Sequence, residues 1–75
     1  MAELNADDLE LAQSLIARLS AGEYELEEIY GEFWEAIPNP TGFGRAFKKA
    51  VQLGHLSGIT WARRSVENHQ IYLLA

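Results

Sequence analysis

Three features of this 75-residue sequence predict an α+β domain, with three helices followed by a C-terminal β-hairpin. Up to residue 53, apolar side chains recur at helical spacing, broken near Gly22 and at Pro38-Asn39-Pro40. After Gly54 the residues become β-favouring, with Ile59-Thr60-Trp61 and Ile71-Tyr72-Leu73-Leu74 flanking the polar Glu67-Asn68-His69-Gln70. The length admits one hydrophobic core, so residues 1–75 are read as a single domain.

Helix one is expected over about residues 6–20. Asn5 followed by Asp8 is a capping pattern, and Leu9, Ala12, Leu15, Ile16 and Leu19 share one face with Leu11 beside them. Gly22 supplies the stop. Glu23-Tyr24-Glu25-Leu26 alternates polar and apolar, which suits a very short strand or an extended entry. Helix two is expected over about 26–37, where Leu26, Ile29, Tyr30, Phe33, Trp34 and Ile37 give the strongest periodic signal in the chain. Gly31 falls in its middle, which points to a close approach by another element. Pro38 and Pro40 end it.

Helix three is expected over about 41–53, capped by Thr41 and closed by Gly54. Phe43, Ala46, Phe47, Ala50 and Val51 form its apolar face, while Arg45, Lys48, Lys49 and Gln52 form a polar stripe on another. The hairpin then covers about 59–74, with Asn68 suited to a left-handed turn position. An isolated hairpin is unstable in water, so Leu56, Ile59, Trp61 and Ile71 are expected to pack it on the helices. Two helices joined by a tight Pro-Asn-Pro turn and followed by a hairpin make a winged helix-turn-helix-like layout. Helix three is its recognition helix, and residues 67–70 are the tip of its wing.

From Phe33 to Tyr72 the chain reads F-W-E-A-I-P, G-R-A-F-K-K-A-V, G-I-T and N-H-Q-I-Y. This pattern resembles a family of small bacterial domains of unknown function. That family has a Trp-containing helix, a Gly-Arg-x-Phe segment, a Gly-Ile strand entry and an Asn-His-Gln-x-Tyr ending. The resemblance covers a little over half of the chain and leaves the acidic first helix outside it. It implies a winged-helix-like fold and brings no settled activity.

Charge is divided unevenly along the chain. Residues 1–40 hold ten carboxylates against Arg18 alone, whereas residues 41–75 hold five cations against Glu67. Such a division suggests a charged partner on one side. The absence of cysteine favours a reducing, cytoplasmic setting, and the beginning of the chain carries no secretory signal. No apolar run approaches the roughly 20 residues of a membrane span.

An enzyme is the least expected class. There is no cysteine nucleophile, phosphate-cradling loop or dinucleotide fingerprint, and Gly42-x-Gly44 is too short for a cofactor loop. His55 and His69 lack partners at metal-ligand spacing, so neither a metal nor a cofactor is expected. Glu27, Glu28, Glu32 and Glu35 are read as a solvated helix face. The expected function is nucleic-acid binding, with duplex DNA as target and a regulatory role. Thr41, Arg45, Lys48, Lys49 and Gln52 are its candidates on helix three. Arg45 suits guanine and Gln52 adenine, while Lys48 and Lys49 suit phosphates. Arg63, Arg64, Asn68 and His69 on the wing are expected along the adjacent backbone or minor groove. Adjacent strand residues face opposite ways, so only one arginine of the pair joins the stripe unless the strand bends. The alternative function is a protein–protein interaction module or adaptor that uses the acidic N-terminal helices. A homodimer through helix one would double the nucleic-acid contacts, in competition with burial of that helix in its own core.

Overall fold

A computed structural model describes residues 4–75; Glu3 of the acidic half lies outside them. The elements in order are α1 (Ala6–Ala17), β1 (Gly22–Glu25), α2 (Leu26–Tyr30), a 3₁₀ segment (Gly31–Ala36), α3 (Pro40–Gln52), β2 (Ile59–Arg64) and β3 (Gln70–Leu74). The result is an α+β domain with three α-helices and a three-stranded antiparallel sheet. Strand order is β1-β3-β2, so the C-terminal strand lies in the centre. The expected hairpin is therefore two-thirds of a sheet whose third strand is the short alternating stretch before α2.

Local chemistry accounts for the boundaries. At the start of α1, the Asp8 N–H donates to Asn5 Oδ1 at 2.8 Å and the Asn5 N–H donates to Asp8 Oδ2 at 3.3 Å. This reciprocal box satisfies two donors that a helix start leaves open. The helix ends earlier than its periodicity predicts, at Ala17, and Leu19 packs against the core from the following turn. Beyond it Tyr24 returns to this turn, donating from its hydroxyl to the Ser20 carbonyl at 2.9 Å.

The second predicted helix is split. Gly31 takes φ 56° and ψ −125°, a conformation open to glycine and costly for other residues. A Cβ built there would meet no atom within 4 Å, so the glycine breaks the helix rather than admitting a neighbour. The 3₁₀ segment that follows leaves Phe33 43% exposed, although the helical spacing predicts it in the core.

For α3 the cap is Asn39, two residues before the expected Thr41. Its Oδ1 accepts from the Gly42 N–H at 3.2 Å, with Pro40 in the first turn, where a missing N–H costs nothing. A Cβ on Gly42 would lie 2.6 Å from Asn39 Nδ2, so the glycine leaves room for the cap. The helix closes with paired bonds from the Gly54 N–H to the Val51 carbonyl and from the His55 N–H to the Ala50 carbonyl, with Gly54 at φ 77°.

At the centre of the core, Phe47 and Tyr72 are both fully buried, edge to face at 5.1 Å. Tyr30 meets Phe47 at 6.1 Å and Phe43 at 5.1 Å, also edge to face. These four rings tie α2 and α3 to the central strand, in the tilted geometry that aromatic quadrupoles prefer. From α1, Ala12, Leu15 and Ile16 complete the core, so this face of the helix is consumed within the monomer. Leu56, Ile59 and Ile71 are buried as expected, whereas Trp61 is 36% exposed. Gln13 fixes α1 to the approach to β2, donating to the Ser57 carbonyl at 3.0 Å and accepting from its N–H at 2.8 Å.

Candidate nucleic-acid interface

A groove of about 690 Å³ runs between α3, the start of α2 and the β2–β3 hairpin. Six of the nine residues expected at a nucleic-acid site line it: Thr41, Arg45, Lys48, Arg64, Asn68 and His69. On α3, Thr41, Gly44, Arg45 and Lys48 fall on one side because they recur at three and four residues. Lys48 holds its ammonium 4.8 Å from the centre of the Trp61 ring. That ring is oriented in turn by its Nε1–H, which donates to Gln70 Oε1 at 2.6 Å. Trp61 thus supports a cation at the groove instead of filling the core, the role its size predicts.

The hairpin contributes one arginine, and a β-bulge decides which. Trp61 pairs with Tyr72, but Arg63 pairs with Ile71 and Arg64 with Gln70, so Ala62 is an extra residue in β2. In a regular strand Arg63 would share the face of Trp61; the inserted residue gives that face to Arg64. Arg63 points away and donates from Nη2 to Glu23 Oε1 at 3.0 Å, across the central strand. Among the described residues Arg45 and Arg64 form no ion pair, so their charge is directed at solvent within the groove.

The turn of the hairpin is built by Ser65, whose N–H donates to the His69 carbonyl at 2.8 Å and whose carbonyl accepts from the Asn68 N–H at 2.9 Å. Asn68 takes φ 69°, the left-handed conformation its short amide side chain tolerates. His69 Nδ1 sits 2.6 Å from Glu25 Oε1, which holds the base of this turn against the end of β1. The groove consequently has a cationic side on α3 and β2 and a carboxylate side formed by Glu25 and Glu27.

Besides Arg63, two expected residues lie elsewhere. Lys49 lines a small cleft of about 80 Å³ with Leu4, Leu9 and His55, on the side of α3 that faces α1. Gln52 is exposed at the end of α3 and does not line the groove. The polar stripe of four is therefore divided, because residues 45 and 48 turn toward the hairpin and residue 49 toward α1.

Sequence reasoning missed Trp34, Gln70 and Tyr72 as groove residues. Gln70 and Tyr72 were legible through the two-residue period of a strand, which places them on one face beside the cations. Tyr72 has no solvent exposure, and its hydroxyl is buried without a hydrogen-bond partner. Burial pushes its phenol up to about 12. Among the described residues no helix is long and apolar enough to cross a membrane.

No curated protein and no solved structure matches the chain. A family model does match, over residues 10–73, which extends the resemblance beyond the Phe33–Tyr72 stretch and takes in most of α1. The chain therefore belongs to the family described as a domain of unknown function, DUF1413.

Proposed function

We propose that this chain is a nucleic-acid-binding domain of winged helix-turn-helix-like form, with α3 as its reading helix and β2–β3 as its wing. Support for the fold comes from the element order, in which α2 with its 3₁₀ extension leads into a Pro-Asn-Pro turn, α3 follows it and the hairpin lies beside α3. The observation that carries the function is the meeting of Arg45, Lys48 and Arg64 from two elements along one groove, with neither arginine neutralised by a carboxylate among the described residues. Thr41 at the beginning of α3 and Arg45 one turn on are the side chains nearest to base edges in this pose. Lys48, Arg64 and Asn68 follow the phosphates. The backbone runs along the α3–β2 side, clear of Glu25 and Glu27, which would repel it. Binding and not catalysis is the activity, and duplex DNA is the expected target.

The two phosphate-facing cations, Lys48 and Arg64, give a salt slope of about −1.8 per monomer, or about a 12-fold loss of affinity between 50 and 200 mM salt. Fluorescence anisotropy with labelled duplex and single-stranded DNA at both salt concentrations tests this. The expected result is salt-sensitive duplex binding that Arg45→Glu with Arg64→Glu abolishes and Arg63→Glu leaves nearly unchanged. No binding at 50 mM salt, or equal loss with Arg63→Glu, overturns the proposal.

A further inference from the structure

Two residues lining the cationic groove weaken the fold that carries them. Gly44 lies inside α3, where glycine is less stable than alanine, and nothing there excludes the larger residue. A Cβ built on it would come no closer than 3.9 Å to Leu26 Cδ2, an ordinary contact. Tyr72 also lines the groove and keeps a hydroxyl that is buried without a partner. Its neighbours across the sheet are Tyr24 and Trp61, so it meets the groove with the outer end of its ring, which bears that hydroxyl. Gly44 thus leaves space and Tyr72 leaves a hydrogen-bonding group at one place. Such departures from local preference gather where a protein binds.

The walls specify the ligand. Arg45, Lys48 and Arg64 line one side. On the other, Glu25 is held by His69 at 2.6 Å, while the Glu27 carboxylate has no hydrogen bond or ion pair among the described residues. Leu26 and the half-buried Trp34 add apolar surface. A ligand that satisfies both walls has an anion at one end, a hydrogen-bond donor at the other and a flat, partly apolar body. A volume of about 690 Å³ is that of a small-ligand site. In a duplex, pairing occupies one edge of each base and the stack covers its faces, whereas an unpaired nucleotide leaves both free.

We propose that the groove seats one unpaired nucleotide with an amino-bearing base. Lys48 and Arg64 hold its phosphate, and the exocyclic amine of cytosine or adenine donates to Glu27. The base lies over Gly44, where no side chain intrudes, and the Tyr72 hydroxyl bonds a ring acceptor. A carboxylate accepts from the cytosine amine and repels the oxygen that uracil has in its place. This deepens the nucleic-acid reading of the same groove and rests on its cations. A free nucleotide and an unpaired residue of a strand present the same chemistry.

NMR titration of the full chain with CMP and UMP, which differ in one amino or oxo group, tests this; AMP and IMP are the matching purine pair. Amide shifts are expected around Glu27, Gly44 and Tyr72, with CMP about tenfold tighter than UMP. Glu27→Gln should remove that preference. Tyr72→Phe should weaken CMP about fivefold, and Gly44→Ala should weaken it as well. Both variants should raise the urea midpoint, so that lost binding is not lost fold. Fluorescence anisotropy with single-stranded oligo-dC identifies the source. Binding at least about tenfold tighter than that of CMP assigns the site to a strand, and no gain over CMP assigns it to the free nucleotide. Equal affinity for CMP and UMP, binding of neither, unchanged affinity in both stabilised variants, or the same shifts with inorganic phosphate alone would overturn the proposal. Duplex binding that persists beside any of these results leaves the nucleic-acid reading standing. CMP binding without duplex binding overturns the duplex reading alone.

Discussion

Replacing Tyr72 by phenylalanine removes one oxygen atom from the centre of the molecule and is expected to stabilise it. Tyr72 is fully buried, and its hydroxyl has no hydrogen-bond partner. Leaving such a group unsatisfied costs about 1–3 kcal/mol, whereas its ring contact with Phe47 at 5.1 Å survives the change. A gain of about 1 kcal/mol corresponds to a rise in Tm of about 4–8 °C for a domain this small. Urea unfolding should show a higher midpoint at unchanged slope. The pH dependence should change too. Burial raises the Tyr72 phenol from 10.0 to about 12, so the folded protein holds this proton more tightly than the unfolded chain does. The resulting stability is complete below pH 10 and is lost as pH rises through about 12. The Tyr72→Phe variant should lose part of this alkaline sensitivity and keep the rest. Tyr30 provides the remainder, its phenol raised by burial and then by the charge of Asp8. A lower urea midpoint for Tyr72→Phe would refute the reasoning, because it would mean that the hydroxyl is bonded.

Gly31→Ala isolates a backbone effect, since no atom lies within 4 Å of the new Cβ. It should lower stability by about 1–3 kcal/mol, measured by thermal denaturation. A neutral or stabilising result would mean that the helix runs through residue 31. Phe47→Ala removes the ring shared by Tyr30, Phe43 and Tyr72 and should cost about 3–5 kcal/mol. Loss of amide dispersion in NMR spectra at 25 °C would register it, and a shift of less than about 1 kcal/mol would contradict the placement of this ring.

What the residues made legible was the α3 core face and the hairpin, because Ala46, Phe47, Ala50 and Val51 repeat with one period and residues 70–74 with another. The division of the second helix was not legible. Apolar spacing from Leu26 to Ile37 continues through Gly31, and only a positive φ reveals that the helix stops there. The α3 cap illustrates a near competition, in which Asn39 and Thr41 both have the right chemistry and Pro40 resolves it by occupying the first turn. At the candidate interface, Arg63 and Arg64 cannot be ranked without the register, and the register depends on a bulge at Ala62 that no local preference announces. The same limit applies to Lys49, which shares a sequence stripe with Arg45 and yet faces another neighbour.

The strand order has a bearing on how this chain acquires its shape. Glu23 and Tyr24 find their partners, Leu73 and Tyr72, some fifty residues later, and β2 also waits for β3. Every sheet contact therefore depends on β3, the last of these elements in chain order, and Tyr72 brings with it the ring that closes the aromatic cluster around Phe47. Until that segment arrives, the helices have no sheet to lie on, and β1 is an unpaired edge. The β1–β3 pairing closes a loop of about fifty residues, a non-local contact that slows folding relative to the local β2–β3 hairpin. The candidate interface depends on the same strand, since Gln70 of β3 orients Trp61 beneath Lys48.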